Sequence, residues 1–256
     1  DFVGSLKKAL SIQVLQAARA YLPMVNISIF FPRIFYFCTM QKYILSLIIL
    51  VFSSQIFSQK LSFSVVVDPL ITWMKTNEQD IQRDGYNFGY NIGLVMDKFF
   101  SDNYALSTGL SILNTGGNLH YLDSIDFDFG SGRDTIPGGT TITYNLQYIT
   151  IPFSLKLKST EIGYTTMFAH IGINNHINIR ATADIPSQNI SREDIKNEIN
   201  MFLMSYFIGG GVEFSFGGNF AILGGIYLTG AIWDVTTNTN YRAYFNMLSL
   251  RLGVKF

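Results

Sequence analysis

The stretch Phe245–Phe256, F-N-M-L-S-L-R-L-G-V-K-F, decides the fold. From Leu248 every second residue is apolar (Leu248, Leu250, Leu252, Val254, Phe256), with Ser249, Arg251, Gly253 and Lys255 between them. A period of two is a strand with one apolar and one polar face. Seven similar segments precede it: Lys60–Thr72, Asn87–Phe99, Asn103–Asn114, Thr141–Leu157, Thr166–Ala181, Tyr206–Phe216 and Asn219–Ala231. One face of each is aliphatic or aromatic and uncharged, as in Leu61, Phe63, Val65 and Val67. The other is small or polar, as in Ser62, Ser64, Gly89, Asn91, Gly209 and Gly211. Two segments are irregular. Tyr144, Leu146 and Tyr148 are out of phase with Ile149 onward, implying a bulge near Tyr148 or an upper half clear of lipid. Leu223 and Tyr227 leave the phase of the seventh segment ambiguous.

The connections set the topology. Phe100–Asp102, Lys158–Tyr164 and Gly217–Gly218 are short, whereas Trp73–Tyr86, Thr115–Thr140, Asp184–Met204 and Ile232–Tyr244 are long and polar. Short and long alternate, which places all short turns at one end of an up-and-down array. That predicts an all-β, eight-stranded antiparallel up-and-down transmembrane β-barrel of outer-membrane type over 59–256. Its mature termini would both be periplasmic, its location the cell outer membrane, and its surroundings outer-membrane lipid. A soluble lipocalin-like ligand-binding barrel is the alternative, and it would turn the apolar face inward.

Composition agrees. Only 14% of the 256 residues are charged and 15% are aromatic, against about 25% charge in ordinary soluble domains. No uninterrupted apolar run reaches the roughly 18 residues of a spanning helix. Zero formal charge gives no footprint for nucleic acid. The single Cys38 excludes a disulfide framework.

Ahead of the barrel, Met40-Gln41-Lys42 is followed by Y-I-L-S-L-I-I-L-V-F and then S-S-Q-I-F-S. This is the pattern of a secretory signal peptide over 40–58, cleaved between Ser58 and Gln59; a buried core helix is the rival. Residues 1–39 read as an upstream extension from a misplaced start, with a helix over Leu6–Leu22 as the alternative.

For function, the inward positions near the short turns are the informative ones. Asp97, Lys156, Glu213, Arg251 and Lys255 are expected to form a paired network that fills the lumen, with Arg251 bridging to Glu213 or Asp97. His170 and His176 share one strand face but are six residues apart, about 20 Å at strand rise, too far for one metal. His120 sits at a loop edge. Asp123, Asp126, Asp128 and Asp134 read as a solvated acidic loop, since the spacing does not fit a calcium loop. Ser191–Asp194 has the form of a cap for a short helix running to Ile199. The strand pattern presents no nucleophile–base pair, so no enzyme, cofactor or metal is expected.

From Tyr86 onward the chain resembles the PorT-like "porin family" of outer-membrane barrels. The residues that carry this are Y-N-F-G-Y-N-I-G-L (86–94), F-F-S-D-N-Y-A-L-S-T-G-L (99–110), Y-I-T-I-P-F-S-L-K-L (148–157), G-G-G-V-E-F (209–214) and the terminal L-R-L-G-V-K-F. The resemblance implies an eight-stranded outer-membrane barrel inserted by the barrel-assembly machinery, which would read Phe256 as its signal. Most members of that family have no assigned activity. The expected role is a structural or interaction scaffold working through its outer loops. The alternative is an accessory component of a protein secretion or transport complex, with envelope or secretion proteins as partners.

Overall fold

The computed structural model describes residues 60–76, 78–130, 132–218, 220–237 and 242–256. The expected signal peptide, its cleavage point and the extension before it lie outside these residues. Eight long strands form the barrel wall: β1 Leu61–Thr76, β3 Asn87–Ser101, β4 Tyr104–Tyr121, β7 Thr140–Lys158, β8 Thr165–Ile185, β10 Phe202–Ser215, β11 Ala221–Ala231 and β12 Ala243–Lys255. Each pairs antiparallel with its neighbour in the chain. The pairing of β1 with β12, from Ser64↔Lys255 to Thr76↔Ala243, closes the cylinder. No edge is left on the wall, so its backbone polar groups are satisfied within the sheet, as a bilayer requires.

The faces are oriented as the alternation demands. Leu248, Leu250, Leu252, Val254 and Phe256 are 40–50% exposed on the outside, while Arg251 and Lys255 point to the axis. Leu61, Phe63, Val65 and Val67 behave likewise on β1. In β11, Ile222, Ile226 and Leu228 face out and Leu223 and Tyr227 face in, which fixes the ambiguous phase. A soluble barrel with an apolar interior is thereby the wrong way round for the membrane-level half of the wall. Phe63 and Phe256 stack across the closure at 6.4 Å, and Phe100 and Tyr104 stack beside one short turn.

A strand needs about 9–11 residues to cross a bilayer, yet β7 has 19 and β8 has 21. The surplus rises beyond the apolar belt at the long-loop end. Here the interior changes character. In β7 the inward phase runs unbroken through Ile142, Tyr144, Leu146, Tyr148, Thr150 and on to Lys156. The irregularity lies in β8, where Gln147 pairs with Arg180 but Tyr148 pairs with Asn178, leaving Ile179 as an extra residue. Of the two readings of the Tyr148 region, the second therefore describes β7: its upper part stands clear of lipid and packs apolar side chains inward.

The long loops are structured. Ile125–Phe129 (β5) and Gly132–Ile136 (β6) form a hairpin, Ile81–Arg83 (β2) pairs with β4, and Ile190–Asp194 (β9) pairs with the top of β8. The acidic loop is thus not simply solvated. Asp126 faces out, but Ile125, Phe127, Phe129 and Ile136 are buried, because the hairpin also alternates with period two. The expected capped helix is also absent. Ser191–Asp194 is strand, and only a 3-10 turn at Lys196–Glu198 follows, whose first N–H donates to Asp194 Oδ1 at 2.9 Å.

Candidate functional site

The lumen is filled in layers. At the short-turn end, Asp97 (β3), Lys156 (β7), Glu213 (β10) and Lys255 (β12) are brought together on the inward face. Lys156 Nζ lies 2.5 Å from Asp97 Oδ2 and 2.7 Å from Glu213 Oε1. Glu213 Oε2 also accepts from Lys255 at 2.7 Å and meets Lys158 at 3.1 Å. Ser107 Oγ donates to Asp97 Oδ1 at 2.6 Å. Lys156, Asp97 and Glu213 side chains are no more than 4% exposed. Isolated charges would be strongly disfavoured there, and mutual neutralisation is what permits their burial. Lys158 is not among the expected members; its even phase with Lys156 is the available signal.

Arg251 departs from expectation. It bridges neither Glu213 nor Asp97. It makes a two-pronged bond to Asp68, Nε to Oδ1 at 2.9 Å and the terminal nitrogen to Oδ2 at 2.8 Å. The register gives the reason. Val67 pairs with Leu252, so Asp68 is directly opposite Arg251 across β1 and β12. Glu213 is separated from β12 by β11, its row running through Leu223 to Gly253, and it is Lys255 rather than Arg251 that reaches it. Asp68 is legible in the sequence, since it shares the inward phase of Ser62 and Ser64.

Asn91 donates to Asp68 at 2.8 Å, and Tyr227 lies under the guanidinium of Arg251 at 4.0 Å. The Tyr227 hydroxyl meets His170 Nδ1 at 2.8 Å. Gly209 makes room for this ring, since a Cβ at that position would run into Tyr227. The glycine face of β10 is therefore a seat for an aromatic side chain.

One layer higher, His176 Nε2 contacts Ser205 Oγ and its Nδ1 contacts Thr150 Oγ1, both at 2.8 Å. Sequence reasoning does not reach this serine–histidine contact. It lacks a carboxylate on Nδ1, and Ser205 and His176 are 0% and 1% exposed. A nucleophile needs a base held by an orienting group and a path for substrate; this pair has a threonine at Nδ1, and both its residues are buried. A cavity of ≈ 60 Å³ lies between the layers, lined by Asn91, His170, His176 and Arg251 among others. That is room for a few waters, and the buried Asn91 Oδ1 and His170 Nε2, which have no hydrogen-bond partner among the described residues, would supply sites for them.

Above this level the interior is apolar. Met74, Leu119, Tyr121, Tyr144, Leu146 and Phe245 from the strands pack with Ile125, Phe127, Phe129, Ile195 and Val235 from the loops in one cluster. Tyr121 and Tyr144 share a hydroxyl–hydroxyl bond of 2.6 Å. Burial and that bond push the Tyr144 phenol well above its ordinary range. Asn200 ties two loops together through the Asp234 and Thr236 carbonyls at 2.9 and 2.8 Å. His120 bonds Thr141 at 3.0 Å at the rim.

The profile of the family described as "Outer membrane protein beta-barrel domain" matches residues 54–245, three-quarters of the chain. The chain belongs to that family. This outer membrane β-barrel has no match among the curated proteins. Among solved structures it is similar to neisserial surface protein A, at 13% identity and TM-score 0.43, covering 76% of this chain and 97% of that one. A major outer membrane protein of Thermus thermophilus gives 14% identity and TM-score 0.42, covering 77% and 99%. The Yersinia pestis attachment invasion locus protein Ail gives 13% and 0.37, covering 76% and 99%. At these identities and scores no role is carried across from them.

Proposed function

We propose that this outer membrane barrel is a closed, non-catalytic scaffold that presents a rigid loop platform at the cell surface, with its mature termini in the periplasm. The observation that carries the reading is that the lumen is occupied twice over. A buried ionic layer of Asp97, Lys156, Glu213 and Lys255 fills the short-turn end, and an apolar cluster fills the long-loop end. An eight-stranded barrel is only wide enough for side chains to fill it. The loops then serve as the working surface, because β5, β6 and β9 hold them in a single packed unit with the strand tops. The Y-I-T-I-P-F-S-L-K-L run supports the narrower PorT-like assignment, and with it a place beside envelope or secretion proteins. Phe256 is the residue we assign to recognition by the barrel-assembly machinery. The test is single-channel recording of the refolded full chain in planar bilayers. A closed barrel gives no steady conductance; a stable open level would overturn the proposal.

A further inference from the structure

The geometry points to a binding site for the phosphate of a lipid headgroup, built by Arg180 and Arg192 on the outer wall at the long-loop end. Ile92, Ile112, Ile149 and Ile177 pair in succession across β3, β4, β7 and β8, forming one outward row of isoleucines. Two residues further along β3, β4 and β7, and three along β8 because Ile179 is extra, Tyr90, Asn114, Gln147 and Arg180 pair in the same way. The wall therefore passes from aliphatic to phenol, amide and guanidinium within one side-chain step. A bilayer whose hydrocarbon ends at the isoleucines puts its headgroups against the row above.

That row opens into a groove of ≈ 420 Å³ lined by Arg180, Arg192, Asn114, Asn145, Gln147 and Asp184 among others. Both arginines are exposed. Among the described residues neither forms an ion pair. Asp184, the carboxylate in the groove, is engaged by neutral donors instead: Asn145 at 2.7 Å, Ser191 at 3.2 Å and the Arg192 backbone N–H at 2.7 Å. Its bond to that N–H holds the strand that carries Arg192 beside β8. Among the described residues the two guanidinium groups make no hydrogen bond, and they line one groove with the amides of Asn114, Asn145 and Gln147. Guanidinium forks match phosphate oxygens in geometry and charge, and the amides suit the hydroxyl and ester groups next to a phosphate. The inference does not depend on whether the lumen conducts.

The experiment uses the full chain, extracted in detergent, with diphosphoryl lipid A as probe and native mass spectrometry as readout. The wild type retains the lipid, and inorganic phosphate does not displace it. Arg180→Ala and Arg192→Ala each weaken retention about tenfold, as expected for loss of a charge-assisted bond. Lys98→Ala, which removes an outward charge at the opposite end of β3, leaves retention unchanged. A band shift on heating verifies that each variant is folded, and R180Q/R192Q replaces the alanine variants should they not fold. Equal retention of dephosphorylated lipid, equal loss in Lys98→Ala, or full retention by the double variant would each overturn the site. Displacement by inorganic phosphate at the same affinity would overturn its assignment to a lipid.

Discussion

Replacing Lys156 by Met is the sharpest probe of the lumen. Lys156 is the link between Asp97 and Glu213, at 2.5 and 2.7 Å, and its side chain is 3% exposed. Without it the two carboxylates fare differently. Glu213 keeps Lys255 at 2.7 Å and Lys158 at 3.1 Å. Asp97 keeps only the hydroxyl of Ser107 among the contacts described above. The cost is therefore concentrated in one orphaned carboxylate, and stranding a buried charge this way costs about 3–5 kcal/mol. Against a total stability of about 5–15 kcal/mol, that is a large fraction. Guanidinium unfolding in detergent micelles, followed by the fluorescence of Trp73 and Trp233, measures it. The midpoint should fall with the slope unchanged, since the surface exposed on unfolding is the same. The second arm tests the cause. Adding Asp97→Asn to Lys156→Met removes the orphaned charge and should recover most of the loss. A Lys156→Met barrel within about 0.5 kcal/mol of wild type, the range of ordinary surface changes, would refute the reasoning. So would simple additivity of the two substitutions, because neighbours in one network should couple.

Three further expectations follow from other parts of the molecule. Asp68→Asn leaves Arg251 with a neutral partner and should lower stability by about 3 kcal/mol, the lower end for a broken buried pair because Arg251 is 16% exposed; the same unfolding assay checks it. Phe127→Ala opens a void in the loop cluster worth about 3–5 kcal/mol, and limited proteolysis should cut the β5–β6 hairpin faster while the strands stay protected. Tyr144 holds its proton above the ordinary value of 10.0. Below that pH both folded and unfolded chains carry it neutral and its contribution is complete. Above it the unfolded chain ionises first, so stability falls as pH rises towards the folded value. Alkaline unfolding monitored by tyrosinate absorbance should therefore be less steep in Tyr144→Phe.

The wall of the barrel was legible because lipid imposes a strict rule on every second residue. Leu250, Leu252 and Val254 announce their face without knowledge of any partner, and the alternation of short and long joins fixes the strand count. The loops follow no such external rule. Phe127 and Phe129 alternate with Asp126 and Asp128 over only five residues, too short a run to separate a packed hairpin from an acidic loop. The inward charges could be named from phase alone, but their partners depend on register, which the sequence states only through pairing. Arg251 meets Asp68 because β12 closes onto β1; a chain read in order places them at opposite ends. The Ser205–His176 contact was invisible for the same reason, since it depends on the register of β10 on β8, which sets Leu203 opposite His176 and Ser205 opposite Asn174.

The bond between Asp68 and Arg251 joins residues 183 apart in the chain and sits on the seam where the first and last strands meet. It can form only after every intervening strand has been placed, so it acts as a latch on completed assembly. A chain stalled before β12 would present two raw strand edges to hydrocarbon, each unmet backbone group costing several kcal/mol. A fluorophore pair straddling this seam would therefore time the final step of insertion, separately from the zippering of the seven hairpin neighbours before it.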